Sequence, residues 1–194
     1  LGYAPRFHPR QPEQLRGRLA AFGLEPGGYL LCVGTLEPRK NLTQALRAHA
    51  LLPQPLRARF PLLIAGMAGW RSDCFAAELQ AALASGHVRL LGYQSDQALA
   101  ELLAGARLLL FPSLYEGFGL PPLEAAALGV PVFANGLPVI RELLGDYPVY
   151  LDATDSYSWM ETINTLAQSQ PSGRKKQNLP LWADHFKVVL TQIL

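Results

Sequence analysis

The sequence predicts an α/β fold: a Rossmann-like, doubly wound domain around a six-stranded parallel sheet. Three observations predict it. Short apolar runs alternate with helical stretches of about 10–15 residues from 29 to 170, the pattern of βαβ units. The runs, such as Leu108-Leu109-Leu110-Phe111, are continuously apolar, as in strands buried on both faces. Each run stops at a glycine, a proline or a short polar loop before the next helix.

Taken in order, residues 1–28 read as a linker and lead-in. Pro5, Pro9 and Pro12 precede a short helical stretch over 13–22 that ends at Gly23, and Pro26-Gly27-Gly28 closes the segment. With no initiator Met, the chain is expected to be a fragment of something longer. Residues 29–34 form the first strand, and Asn41 is expected to cap a helix to about 52, with Gln44 completing a capping-box-like pair. A strand over 60–65 precedes a helix over 72–85, whose Phe75, Leu79, Ala82 and Leu83 share a face and which stops at Gly86. A strand over 88–91 and a helix over 95–104 follow. The strand over 107–111 leads to a helix over 120–128 with Pro121 and Pro122 in its first turn, where a missing N–H costs nothing. Strands over 130–134 and 148–151 flank a helix over 138–144; a helix spans 155–168, and 181–194 is expected to be a terminal helix. Residues 29–170 thus make the domain and 171–194 a C-terminal tail and helix. Right-handed crossovers put the loops at 35–41, 66–72, 92–95, 112–119 and 135–138 on one rim.

About half the chain is apolar (49%) and its net charge is +2, which fits one packed core and argues against nucleic acid as a partner. The run Arg174-Lys175-Lys176 reads as a solvated loop. No apolar run approaches the ~18 residues of a membrane span, and the first residues lack the basic start and apolar middle of a signal peptide. Cys32 reads as a core residue. Neither it nor Cys74 has metal-ligand spacing, so no metal is expected and the setting is expected to be reducing and cytoplasmic.

Chemistry concentrates in two loops on that rim. In the stretch 112–124, Gly117 and Gly119 let a ligand approach the backbone, and the N–H groups of Gly117, Phe118, Gly119 and Leu120 can hold an anion. Glu116 and Glu124 bracket this turn, and carboxylates suit the hydroxyls of a ribose or hexose, from which they accept hydrogen bonds. In the loop Gly34-Thr35-Leu36-Glu37-Pro38-Arg39-Lys40-Asn41, two cations precede a helix. Arg39 offers a planar fork and Lys40 a point charge, together a diphosphate holder. The competing readings are a solvated basic turn, an ordinary loop carboxylate at Glu116, and a Glu124 that only decorates an early helical turn, where negative charge is favourable. Tyr93, Tyr115 and Phe118 either line the pocket or belong to the core. Gly117 to Pro122 reads GxGxxP and follows a late strand, so a redox dinucleotide fold is weakly supported. The P-loop and the hydrolase elbow are both absent.

These residues carry a resemblance. The segment from Glu116 to Glu124 resembles the E-x7-E motif of retaining, family 4 glycosyltransferases of the GT-B fold. Gly34 to Asn41 is similar to the GTLEPRKN signature of the mannosyltransferase-like branch, and Gly92 to Asp96, Ala134 to Pro138 and Glu142 resemble the family in the same register. Such enzymes have two Rossmann-like domains facing a cleft, and this chain resembles the C-terminal, donor-binding one. The resemblance implies a nucleotide diphosphate sugar as donor, GDP-mannose-like, with no cofactor or metal. It gives Arg39 and Lys40 the diphosphate, Glu116 the reacting centre of the transferred sugar, and Glu124 the ribose hydroxyls. It also implies an N-terminal acceptor domain in the same full-length protein, a glycan or lipid-linked acceptor in surface polysaccharide synthesis, and room for peripheral attachment of the full-length enzyme to the inner face of the membrane. Tail residues 171–194 are expected to return to that other domain, and the chain alone is expected to be inactive. One departure is Thr35, where several relatives carry Arg; a phosphate contact is then absent or supplied by Arg39. The rival readings are a sugar-nucleotide epimerase domain and a stand-alone nucleotide-binding module without catalysis.

Overall fold

The computed structural model describes residues 4, 7, 11–69 and 75–169. The expected terminal helix over 181–194, the run at 174–176, Cys74 and the start of the helix expected from 72 lie outside them.

Six strands, β1 (Leu30–Val33), β2 (Leu62–Ala65), β3 (Val88–Gly92), β4 (Leu108–Phe111), β5 (Val132–Asn135) and β6 (Val149–Leu151), form one sheet. All are parallel, in the order β3-β2-β1-β4-β5-β6, and Leu30 lies level with Leu62 on one side and Leu108 on the other. The expected strands stand where the apolar runs placed them, with ends shifted by one or two residues.

Because side chains alternate across a strand, each run feeds two cores. Leu30, Cys32, Leu62, Ile64, Leu108 and Leu110 face one side. There they meet α2 (Leu42–Leu51), α4 (Ala76–Ala84) and α8 (Ser156–Gln168), whose Leu46, Leu79 and Trp159 are buried. Leu31, Leu63, Leu109 and Phe111 face the other. They pack beneath α5 (Asp96–Gly105), α6 (Leu120–Leu128) and α7 (Pro138–Leu144). Burial pushes the Cys32 thiol up to about 12, so this cysteine is a core filler.

Three local expectations change. The lead-in contributes to the core: α1 (Pro12–Leu19) packs on α5, with Leu15 and Leu19 buried, and the Tyr29 hydroxyl donates to the Leu102 carbonyl at 2.6 Å. A short helix unmarked by periodicity, α3 (Gln54–Arg59), starts on Pro55 in its first turn. Asn41 does not cap α2 with its side chain, and Gln44 instead accepts a hydrogen bond from the Ser156 hydroxyl at 2.8 Å, joining α2 to α8.

His49, 1% exposed on α2, has Nε2 3.1 Å from the Phe60 carbonyl. A carbonyl only accepts, so Nε2 carries the proton of a neutral ring. Burial pushes its pKa down from 6.5 to about 4. The unfolded chain therefore binds a proton that the native ring refuses. Stability is expected to fall by about 2 kcal/mol between pH 7 and pH 5. Urea unfolding at both values checks this: His49→Gln should lose far less over the same interval, and an equal loss in both proteins would refute the assignment.

Candidate active site

β1 and β4 are neighbours, yet their chains leave in opposite directions, β1 towards β2 and β4 towards β5. At such a switch point the two loops part and leave a crevice beyond the carboxyl ends of the strands. The loops in question are 34–41 and 112–119, the two that the sequence singles out.

The first loop is shaped by glycine and by alternation. Gly34 has φ 144, and a Cβ there would lie 3.2 Å from Lys40 Cε, so its absence clears the path along which Lys40 runs. Glu37 is extended (φ −128, ψ 151) and immediately precedes the Pro38–Lys40 turn, so its carboxylate lies between Thr35 and Arg39. The Thr35 hydroxyl donates to Glu37 Oε1 at 2.7 Å and Arg39 Nε donates to Glu37 Oε2 at 2.7 Å. The Thr35 hydroxyl first, and the Arg39 guanidinium after it, hold the Glu37 carboxyl below the usual carboxylate range. Gly69 makes room for this carboxylate, since a Cβ there would sit 2.5 Å from Glu37 Cγ. A 3-10 turn, Pro38–Lys40, then delivers both cations to the crevice.

There they meet Glu116. Lys40 Nζ donates to Glu116 Oε1 at 2.6 Å, and Arg39 Nη1 donates to Oε2 at 3.3 Å. The side chains of Lys40 and Glu116 are 11% and 8% exposed, against 42% for Arg39, so the first pair is desolvated while the guanidinium faces the crevice. Lys40 Nζ also lies 5.6 Å from the centroid of the Phe111 ring, an attractive arrangement for a cation. One of the three N–H donors of Lys40 goes to Glu116, which leaves two for a ligand.

The second loop ends at Gly119, left-handed at φ 73, where a Cβ would come within 2.1 Å of Ile140 Cδ1. α6 starts at Leu120, as expected, and places Glu124 in its second turn, half-buried. Around the crevice mouth Tyr115 (71%), Phe118 (55%) and Leu120 (39%) are exposed, so these are rim side chains and not core. Tyr93 is exposed too, but it follows β3, two strands away from β1, and no hydrogen bond or ring contact joins it to the cation cluster.

The structure thus brings together Gly34, Thr35, Arg39, Lys40 and Glu116, and leaves Tyr93 apart. Two participants escaped the sequence reading. Glu37 links Thr35 to Arg39, and a carboxylate between a hydroxyl residue and a cation, each two positions away, is the signal that could have found it. Asn41, expected as a cap, instead directs its side-chain amide away from α2, to Pro112 and Ala153. Chemically, a guanidinium and an ammonium beside a carboxylate at a switch point can hold a diphosphate and stabilise charge that grows on it.

The family model described as "Glycosyl transferases group 1" matches residues 22–178. An O-antigen chain mannosyltransferase B of Escherichia coli is 41% identical over 155 residues, which cover 80% of this chain and 41% of that protein. An O-antigen chain mannosyltransferase RfbU of Salmonella typhimurium is 30% identical over 148 residues, 74% of this chain and 40% of that protein. The chain therefore spans about two fifths of the length of these curated relatives. In fold it is similar to WaaG, a glycosyltransferase involved in lipopolysaccharide biosynthesis (TM-score 0.74, 23% identity, 88% of this chain and 46% of that one). It is also similar to HepE of Anabaena in complex with UDP (TM-score 0.77, 19% identity, 98% and 55%).

Proposed function

The chain belongs to the group 1 glycosyl transferases, and from that premise we propose that it is the donor-binding half of a retaining hexosyltransferase. The observation that carries the proposal is the Arg39–Lys40–Glu116 cluster at the β1/β4 switch point, where a sugar-nucleotide can lie with its diphosphate on the cations. In the reaction the bond between the sugar C1 and the distal phosphate oxygen breaks, the acceptor hydroxyl oxygen bonds to C1 and gives its proton to the departing phosphate oxygen, and negative charge grows on the diphosphate. Lys40 and Arg39 oppose that charge where it develops. Glu116 lies beside the transferred sugar and fixes the ammonium of Lys40. The amides of Gly117 to Leu120 offer further donors to the phosphates. Thr35, in place of a cation, serves through Glu37 by steadying Arg39.

Two of the relatives are O-antigen chain mannosyltransferases by name, which supports a mannose-type sugar and an acceptor in surface polysaccharide synthesis; a GDP-linked donor and a glycan or lipid-linked acceptor complete the proposal. The missing partner in this scheme is an N-terminal acceptor domain of the same protein. A lipid-linked acceptor would bring the enzyme to the inner face of the membrane. Among the described residues no helix is long and apolar enough to cross it. Neither the epimerase domain nor the module without catalysis is favoured by the family match.

The test is calorimetric titration of the chain with GDP, UDP, ADP and their sugar conjugates. Tightest binding of GDP, strengthened by mannose and lost in Arg39→Ala, supports the proposal; preference for another base would replace the donor. A second expectation concerns Glu124. If it binds the ribose hydroxyls, Glu124→Ala weakens GDP more than 2′,3′-dideoxy-GDP, by about 1.5–3 kcal/mol for bonds to a charged acceptor. Equal loss with both would remove Glu124 from the site.

A further inference from the structure

We propose that Asn41 is a positioning residue that fixes the Arg39–Lys40 turn to the loop carrying Glu116, independently of the ion pairs themselves. The inference rests on the donor-site reading above. Among the described residues Asn41 is the one non-glycine at positive φ (φ 49, ψ 41), a left-handed conformation that glycine adopts without strain and that asparagine tolerates better than most other residues. Backbone geometry would accept glycine here as well, and what distinguishes asparagine is the use made of its side chain.

Asn41 Nδ2 donates to the Pro112 carbonyl at 3.3 Å and to the Ala153 carbonyl at 3.0 Å, so both N–H bonds are used and the turn before α2 is joined to the segments that follow β4 and β6. Pro112 opens the loop that carries Glu116, and Lys40 immediately precedes Asn41. Among the described residues a backbone bond also ties the loops, the Leu114 N–H donating to the Arg39 carbonyl at 2.8 Å. The remaining ties are the ion pairs of Lys40 and Arg39 with Glu116, and these are the contacts a bound diphosphate competes for. When it draws the cations towards itself, the Asn41 amide still holds the turn in register.

Asn41→Gly in the full chain tests this, since it removes the amide and keeps the backbone conformation. The expected result is a loss of about tenfold in affinity for the nucleoside diphosphate, from two hydrogen bonds that hold the turn. Affinity for the bare nucleoside stays unchanged and the circular dichroism stays native. Asn41→Asp, which turns a carboxylate towards two carbonyl oxygens, should lose at least as much. A merely structural role would weaken both ligands or neither, and either pattern overturns the proposal. A crystal structure of Asn41→Gly decides independently of any ligand: the turn displaced from Glu116 upholds it, and an unmoved turn with Lys40 still bonded to Glu116 refutes it. Failure of the wild-type chain to prefer diphosphate over nucleoside would defeat the donor-site reading instead, with that crystal structure still deciding the role of Asn41.

Discussion

Lys40→Ala is expected to cut transfer by the full-length enzyme by about 10²–10³-fold, the cost of losing one preorganised donor to a developing charge. In the chain itself it should weaken nucleoside diphosphate binding by ~1.5–3 kcal/mol. The size follows from its surroundings. Lys40 is the least exposed cation of the cluster, it runs through space that Gly34 leaves open, and it ends between Glu116 and the Phe111 ring. A charge held there needs little rearrangement when the donor arrives. Lys40→Arg should recover only part of the loss, because a planar guanidinium does not fit a channel shaped for an alkyl stem and a point charge. Activity within a few-fold of wild type in Lys40→Ala would remove this residue from the reaction.

Gly66→Ala is expected to destabilise the chain by about 3 kcal/mol or more, through forced separation of two strand ends. A Cβ at Gly66 would lie 1.8 Å from the Gly34 carbonyl oxygen, a backbone atom that cannot swing aside. The same region is stitched by the Gly34 N–H donating to the Ala65 carbonyl at 3.0 Å and the Gly66 N–H donating to the Gly92 carbonyl at 2.9 Å, so the ends of β1, β2 and β3 would all have to move. Gly117→Ala is the comparison, with nothing within 4 Å of its added Cβ and an expected change within about 0.5 kcal/mol. Urea midpoints measure both. A Gly66→Ala protein as stable as the Gly117→Ala one would mean that the strand ends do not approach this closely.

Much of this was legible because burial and chain direction write strong signals. Continuous apolar runs such as Leu108 to Phe111 could only be strands covered on both sides, and strictly alternating strands and helices left a parallel sheet as the consistent arrangement. Arg39, Lys40 and Glu116 were legible as candidates because charges beside glycines at strand ends have few structural reasons to be there. What remained hidden depended on contacts distant in sequence. Asn41 before an apolar helical stretch has the composition of a cap, and only the approach of Pro112 and Ala153, 71 and 112 positions away, shows that its amide is spent elsewhere. Residues 12–19 read as lead-in because their polar face dominates, while the burial of Leu15 and Leu19 depends on α5 being alongside. α3 is too short for any periodicity to show.

The sharing of Arg39 between Glu37 and Glu116 has a kinetic side. Two cations and two carboxylates make a cluster whose charges cancel before any donor arrives. Such a cluster projects little field into solution, so it does not gather anions from a distance, and free inorganic phosphate gains little by visiting it. On the proposed donor reading, a sugar-nucleotide would dock by its base and sugar and then take the N–H donors of Lys40 and Arg39 that the carboxylates leave open. Capture is then governed by fit at close range and is insensitive to ionic strength, and discrimination among the many phosphorylated molecules of a cell is exercised in the residence time of the donor more than in the rate at which it is found.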